Sequence, residues 1–427
     1  MMKHAEQIVI VGAGPVGLWS AIELQRRGKQ VMVLERGEIA AGPSGGNCGY
    51  LSPSHVMPLC GPGVVLHTLP QILKPGGALS VPPRFDPKLW RWMVRFAASC
   101  NAKTQTRSAI GRHTLLAESM RITKQWVDEN HSDCLWQAAG LLMVHKHRKT
   151  LDAYESVVAR LRSEFGLRLD RYDDGDLTQF EPALRDGLAG GWHFPDDAHV
   201  DPRRLMRGLV AAIENQGGVV RTGATVEFMA GQRAGAVALG VRVGGEQELI
   251  QADHVVMAAG AESATWKETL GVSLPIVPGK GYSMSVAMPD TPVRVPVIFE
   301  DTHVAITPLA DRLRIGSTMQ LTGYDSRVDP KRLRWIRDDA QSYLRDEIDT
   351  DYQDAWTGWR PMSFDGLPII DRAPKQRRII IASGNGMIGL STGAATGRIV
   401  AETLLESEPT IDPAPYRMER FGRKSAA

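Results

Sequence analysis

Apolar residues follow two rhythms along this chain. Near its start a short run, Ile8-Val-Ile-Val11, enters the glycine-rich stretch Gly12-Ala-Gly-Pro-Val-Gly17. The spacing then turns helical from Val16 to Arg27, and Gly28 supplies a stop. A second apolar run, Val31-Met-Val-Leu34, ends in Glu35. Together these predict a complete βαβ unit. Helical spacing returns over Thr114–Glu129 and Leu151–Phe165, with a strand candidate at Leu141–Val144 between them. Asp201 suits an N-cap and Pro202 the first position of another helix, which ends near Gly217. Strands are then predicted at Val219–Arg221 and Ala224–Phe228, followed by a hairpin over Ala236–Ile250. A buried strand leads into Ala258-Ala-Gly260. Residues 275–325 alternate apolar and polar, as antiparallel strands do. A helix is predicted over 330–348. Arg377-Arg-Ile-Ile-Ile-Ala-Ser-Gly384 is a last strand, entering glycines and then a helix to about Leu405.

The pattern divides the chain into interleaved pieces. Residues 1–83, 196–270 and 351–427 carry nucleotide-domain signals. Residues 84–195 and 271–350 read as a second, α+β domain threaded between them and built on an antiparallel sheet. The expected fold class is α/β, with a discontinuous Rossmann-like domain. There is no internal repeat.

The first βαβ unit carries chemistry. Gly12, Gly14 and Gly17 fit G-x-G-x-x-G, with Glu35 about 20 residues on. The first glycine makes a tight turn and the second lets backbone approach a pyrophosphate. The third allows close helix–strand packing. Pro15 and Val16 open the helix, whose N-terminus attracts phosphate. Glu35 is placed to accept hydrogen bonds from a ribose, with Arg36 beside it.

Composition narrows the reading. The 427 residues are 43% hydrophobic, enough for two domains. A net charge of +2 gives no nucleic-acid footprint. The four cysteines show no C-x-x-C pair and read as free thiols in a reducing compartment. No apolar run reaches the ~18 residues of a membrane span. With the first strand beginning at residue 8, a cytoplasmic protein is expected. The cluster His145-Lys-His-Arg148 lacks further ligands, so it reads as a solvated turn and no metal site is expected. Lys88-Leu-Trp-Arg-Trp-Met-Val-Arg-Phe96 mixes basic and aromatic residues. It reads either as packing against the domain or as a peripheral membrane contact at the inner face of the cell membrane, near a quinone acceptor.

The three-piece arrangement resembles the FAD-dependent amino-acid oxidase superfamily and, within it, the D-amino-acid dehydrogenases of the small-subunit type. Four further segments carry the likeness: Ser44-Gly-Gly-Asn-Cys-Gly-Tyr-Leu-Ser-Pro53, Pro278-Gly-Lys-Gly-Tyr-Ser283, Gly358-Trp-Arg-Pro361 with its continuation to Pro368, and Gly384-Asn-Gly-Met-Ile-Gly-Leu-Ser391. The chain departs from the family at Cys48 and Tyr50, where glycine and glutamine are usual, and at Asn385, where histidine is usual.

The resemblance implies non-covalent FAD. Ser44, Gly45, Asn47, Cys48, Gly49, Tyr50 and Leu51 would form the loop facing the flavin. Val226 would offer its backbone to adenine, and Ala259 and Gly260 would be small because the cofactor passes close by. Gly386, Met387, Ile388, Gly389, Leu390 and Ser391 would lie at the flavin N1–C2=O edge. There, backbone N–H groups and a helix dipole stabilise negative charge.

Arg360 is implied as the group holding the substrate carboxylate, since its planar fork pairs with both oxygens. Tyr50, Tyr282 and His303 are further pocket candidates. The implied reaction oxidises the Cα–N bond of a D-amino acid, cyclic D-proline or D-hydroxyproline included, by hydride transfer to flavin N5. Electrons then pass to a quinone or another carrier, and partner subunits are compatible with this. Three alternatives stay open: a sarcosine- or glycine-type oxidase using O2, an NAD-dependent dehydrogenase, and a non-catalytic flavin-binding subunit.

Overall fold

A computed structural model describes residues 6–66, 77, 79–231 and 235–422. Residues 1–5, 67–76, 78, 232–234 and 423–427 lie outside these. Two large sheets organise the molecule.

The first sheet has six strands, in the order Ile369–Arg372, Ile379–Ser383, His254–Met257, Gln7–Val11, Gln30–Leu34 and Val219–Arg221. All neighbours are parallel except the first pair. Its central strands are apolar on both faces because both are covered. On one side Ile8 and Ile10 pack with Trp19 and Ile22 of the helix Pro15–Gln25 and with Ala394 and Ile399 of the helix Gly389–Leu405. On the other, Val9, Val11 and Val255 pack against Leu239 and Val241 of a three-stranded antiparallel sheet. Trp19 meets Trp126 edge to face, with ring centroids 5.6 Å apart.

The second sheet has nine strands. Its main path runs Gln353–Ser363, Ile276–Ala287, Arg312–Gln320, Val304–Leu309, Val297–Phe299, Leu141–His145, Gly190–Phe194 and Asp170–Asp173, with Leu79–Ser80 beside Arg312–Gln320. One face packs on the helix Pro330–Gln341 through Phe299, Ile306, Ile315, Leu333 and Ile336. The other face looks toward the first sheet.

Several expectations move. The strand Gln353–Ser363 pairs with Ile276–Ala287, so residues from 353 to 363 belong to the second sheet and not to the nucleotide domain as expected from 351 onward. The helix Ala102–Asn130 is longer than predicted and packs Leu115, Ile122 and Trp126 into the nucleotide-domain core, although 84–195 was assigned to the other domain. The helix predicted over 330–348 stops at Gln341, where the Gln341 side chain bonds back to the backbone of Asp346 and Ile348. His145 is no part of a solvated turn. It ends a fully buried strand, its ring 5.3 Å from that of Tyr154, and burial pulls its pKa down to about 4. Of its neighbours, Lys146 is half-buried, and His147 and Arg148 are exposed at the start of the helix Arg148–Phe165. No helix among the described residues is long and apolar enough to cross a membrane.

Candidate active site

A cavity of about 1570 Å³ runs between the two sheets. Ligand pockets commonly hold ~300–1,000 Å³, so it has room for a dinucleotide and a substrate together.

The nucleotide end is built from the first βαβ unit. Gly12 sits at φ +106°, and a Cβ there would lie 2.6 Å from the Ala258 carbonyl oxygen. Glycine thus makes the turn and lets the strand ending at Met257 come close, which brings Ala259 and Gly260 to the cavity wall. Glu35 accepts from Ala13 N–H at 2.8 Å through Oε2 and from Gly37 N–H at 2.9 Å through Oε1. The carboxylate is therefore fixed across the mouth of the glycine turn before any ligand arrives. Gly14, Pro15, Val16, Arg36 and Val226 line the same end. Arg36 reaches out to Glu262 at 2.8 Å.

The middle of the cavity is lined by Ser44, Asn47, Cys48 and Tyr50 on one side and by Gly386 to Ser391 on the other. Gly386 N–H donates to the Pro361 carbonyl at 3.0 Å, so the strand bearing Arg360 is tied to this loop. Asn385 is buried, and its amide donates to Thr392 Oγ1 and Thr396 Oγ1, both at 3.0 Å. It pins the first turn of the following helix. Among the described residues the N–H groups of Gly389, Leu390 and Ser391 find no backbone acceptor, as at any helix start. That unpaired donor set, the close backbone approach at Gly12 and the fixed Glu35 carboxylate fit a flavin dinucleotide.

Four expected cofactor residues do not line the cavity. A Cβ on Gly17 would lie 1.9 Å from the Gly12 carbonyl oxygen, one on Gly45 1.7 Å from that of Ala40, and one on Gly49 2.1 Å from that of Val200. These glycines shape the loops from behind. Leu51 pairs with Ala198 and points into the nucleotide-domain core.

Arg360 lies on the cavity face of the second sheet, over Gly281 of the next strand. Its Nη1 donates to the Thr318 carbonyl at 2.7 Å. Among the described residues it has no carboxylate partner. Burial pulls its pKa down, opposed by Cys48, yet a guanidinium stays charged. The Cys48 thiol is pushed up to about 11 by burial and is neutral.

The remaining candidates divide. His303 lines the cavity from a turn at φ +55°, and burial lowers its pKa. Tyr50 lines it too, but its hydroxyl is 2.9 Å from the Val297 and Ile306 carbonyls, so the ring is a wall braced on the sheet. Tyr282 also borders the cavity, but not with its ring. Strand alternation turns its side chain into the core behind the sheet, where its hydroxyl lies 2.7 Å from the Gln320 side chain.

Sequence reasoning missed Gly281, Thr318, Trp356 and Glu300, all on the cavity wall except Gly281, which lies beneath Arg360. Gly281 stands within the Lys-Gly-Tyr-Ser element, which was the available signal. Glu300 follows an apolar strand at a turn, where an acid usually faces water.

Comparison with known proteins agrees with this geometry. A family model described as FAD dependent oxidoreductase matches residues 7–403. A protein named D-amino acid dehydrogenase from Xanthobacter autotrophicus is 32% identical over 423 residues, covering 97% of this chain and 99% of that one. D-amino acid dehydrogenase 2 of Pseudomonas aeruginosa is 30% identical, covering 96% and 97%. The fold is similar to glycine oxidase from Geobacillus kaustophilus, with a TM-score of 0.75 at 22% identity over 97% of this chain and 99% of that one. It is also similar to L-proline dehydrogenase from P. horikoshii, with a TM-score of 0.69 at 18% identity over 98% and 99%. With the family model spanning nearly the whole chain, this protein belongs to the FAD-dependent oxidoreductases.

Proposed function

We propose that this protein is a D-amino-acid dehydrogenase with non-covalently bound FAD. One observation carries the reading: a cavity-facing guanidinium, Arg360, has no carboxylate partner among the described residues and is tied through Pro361 to the loop assigned to the flavin. A substrate carboxylate completes the pair. The relatives named D-amino acid dehydrogenase support the D-configuration.

Bound FAD supplies the acceptor for the Cα hydrogen, which leaves as hydride. The residues of this chain supply position. Arg360 holds the carboxylate by two parallel hydrogen bonds and so fixes Cα. Thr318 and Gly281 hold the guanidinium in place. Tyr50 and the loop around Cys48 close the cavity to water. The amine loses its proton before Cα–H cleavage, and the imino acid formed hydrolyses after release.

A lipid-soluble quinone is the acceptor this reading favours. The helix Pro87–Ser99 lines the cavity with Trp92, Met93 and Phe96. Just before it and along it, Phe85, Trp90 and Val94 are exposed beside Lys88 and Arg91, as in helices that lie on membranes.

Anaerobic mixing with a panel of D- and L-amino acids tests the reading. Bleaching of the flavin by D-amino acids is expected. No bleaching by any amino acid would end the proposal, and equal bleaching by both enantiomers would remove its stereochemistry.

A further inference from the structure

The cavity holds one carboxylate with no role so far. Glu300 follows the strand Val297–Phe299. Side chains alternate along a strand. Phe299 stacks on Tyr343 in the core behind the sheet, ring centroids 4.2 Å apart. Ile298 and Glu300 therefore share the opposite face, and both line the cavity. The surroundings are otherwise mostly apolar, with Met143, Phe194 and Leu161 nearby on the wall. The Tyr154 hydroxyl, which feels the charge of Glu300, is 3.2 Å from Met143 Sδ. Among the described residues nothing donates to the Glu300 carboxylate. A carboxylate half-buried in a mostly apolar wall without donors is costly. Burial accordingly pushes its pKa up to about 7, with Asp301 adding to the effect.

Sheet register relates this group to Arg360. Phe299 pairs with Val304, and Val304 pairs with Ser317. One residue beyond those pairs stand Glu300, His303 and Thr318, at the same end of three adjacent strands. Thr318 is the residue whose carbonyl holds Arg360. The Glu300 strand thus lies two strand spacings, about 10 Å, from the anchor of the guanidinium. The two groups form no ion pair with each other: Arg360 stands beside Cys48, and Glu300 beside Asp301. An α-amine stays next to the carboxylate that Arg360 holds. What spans the remaining distance is a side chain.

We propose that Glu300 accepts a hydrogen bond from a donor on the side chain of the bound amino acid. The site then prefers substrates carrying a side-chain hydroxyl or ammonium over their aliphatic counterparts. This rests on the reading of Arg360 as the carboxylate anchor. Replacing the acceptor by an apolar side chain should remove the discrimination from both sides, weakening use of donor-bearing substrates and relieving the rejection of aliphatic ones, because a site built to bond a donor rejects analogues lacking one.

The test is anaerobic flavin reduction with matched pairs: hydroxy-D-proline against D-proline, and D-ornithine against D-norvaline. Wild type, Glu300→Leu and Glu300→Gln are compared at equal FAD occupancy. In wild type at least one donor-bearing member should be favoured tenfold or more in rate over apparent Kd. In Glu300→Leu that preference should fall to within about twofold, the donor-bearing member losing and the aliphatic member gaining. Preference in the first pair identifies a hydroxyl, and in the second an ammonium. If Glu300→Leu does not fold, Glu300→Gln decides by its weakened ornithine preference, or, where only the hydroxyl pair discriminates, by a changed hydroxyproline ratio. Equal use of both members in wild type, or a preference that survives substitution, overturns the inference. Failure of the underlying reading looks different: no amino acid of either kind reduces the flavin, or Arg360→Lys leaves every rate unchanged.

Discussion

Gly281 lies directly beneath the guanidinium of Arg360: a Cβ on Gly281 would stand 2.6 Å from Arg360 Cζ. The two residues sit on paired strands, Gly281 opposite Gly358 and Arg360 opposite Gly279. The missing side chain is the space in which the guanidinium rests. Gly281→Ala should therefore displace it and lengthen its 2.7 Å bond to the Thr318 carbonyl. The displaced atoms are the end of a flexible side chain, so stability should change by less than about 1 kcal/mol. Apparent affinity for the amino acid should fall about tenfold or more, with FAD content normal. Unchanged substrate affinity would mean that the position of Arg360 is unimportant.

Arg360 itself admits a sharper test. Arg360→Lys keeps the charge but loses the fork, so substantial impairment is expected. Arg360→Ala should lose about 3–5 kcal/mol of transition-state stabilisation, the scale for truncating one member of a buried charge pair. Rates of flavin reduction by the free acid, at matched FAD occupancy, check both. Wild-type rates in Arg360→Ala would take this residue out of the active site.

At the other end of the cavity, Glu35 is already held by Ala13 and Gly37 N–H groups. Its orientation costs little on binding. Glu35→Ala should weaken FAD binding by roughly 1.5–3 kcal/mol, the scale of a charge-assisted hydrogen bond. Titration of the apoprotein with FAD measures this. Equal affinity would remove Glu35 from the ribose.

The nucleotide domain was legible because its signals are local. Ile8–Val11, Gly12, Glu35 and the Asp201-Pro202 helix start each show themselves within a few residues. Strand membership across distance was not. Arg360 carries a motif, but only pairing with Ile276–Ala287 shows that its strand belongs to the second sheet. The direction of the Tyr282 ring was hidden for a related reason. Its motif was visible, whereas the face it points to depends on register, and one residue of offset sends a side chain to the opposite side. Glu300 left no readable mark, since burial at a turn comes from Leu141–His145 and Arg148–Phe165, which are far away in sequence.

Cys48 bears on how the flavin is held. Its thiol is pushed up to about 11, so the nucleophilic thiolate is scarce at neutral pH. A Cβ on Gly316 would lie 2.7 Å from its Sγ, which places the sulfur against the sheet. Acid precipitation should release all the flavin into the supernatant. Yellow colour in a washed pellet would show a covalent link and contradict the non-covalent assignment.

The last prediction concerns Asp197, buried beside the cavity and paired with Ser54, whose Oγ donates at 2.6 Å and whose N–H donates at 3.1 Å. Burial pushes its pKa up to about 7 despite those bonds. An ordinary aspartate titrates near ~3.9. Between these two values the unfolded chain has lost this proton and the folded chain keeps it. The folded state then binds more protons, so its stability falls as pH rises from about 4 to about 7 and levels off above. The ceiling on this contribution is roughly 4 kcal/mol, three pH units at about 1.4 each. Asp197→Asn keeps an oxygen for the Ser54 N–H and cannot ionise. Relative to wild type it should gain stability on going from pH 5 to pH 8. Glu300 contributes a slope of the same sign in both proteins, so it cancels from the difference. Denaturant unfolding of the FAD-loaded protein at the two pH values measures it. A constant difference between variant and wild type would mean that Asp197 is already ionised in the folded protein at pH 5, with the Ser54 bonds outweighing burial.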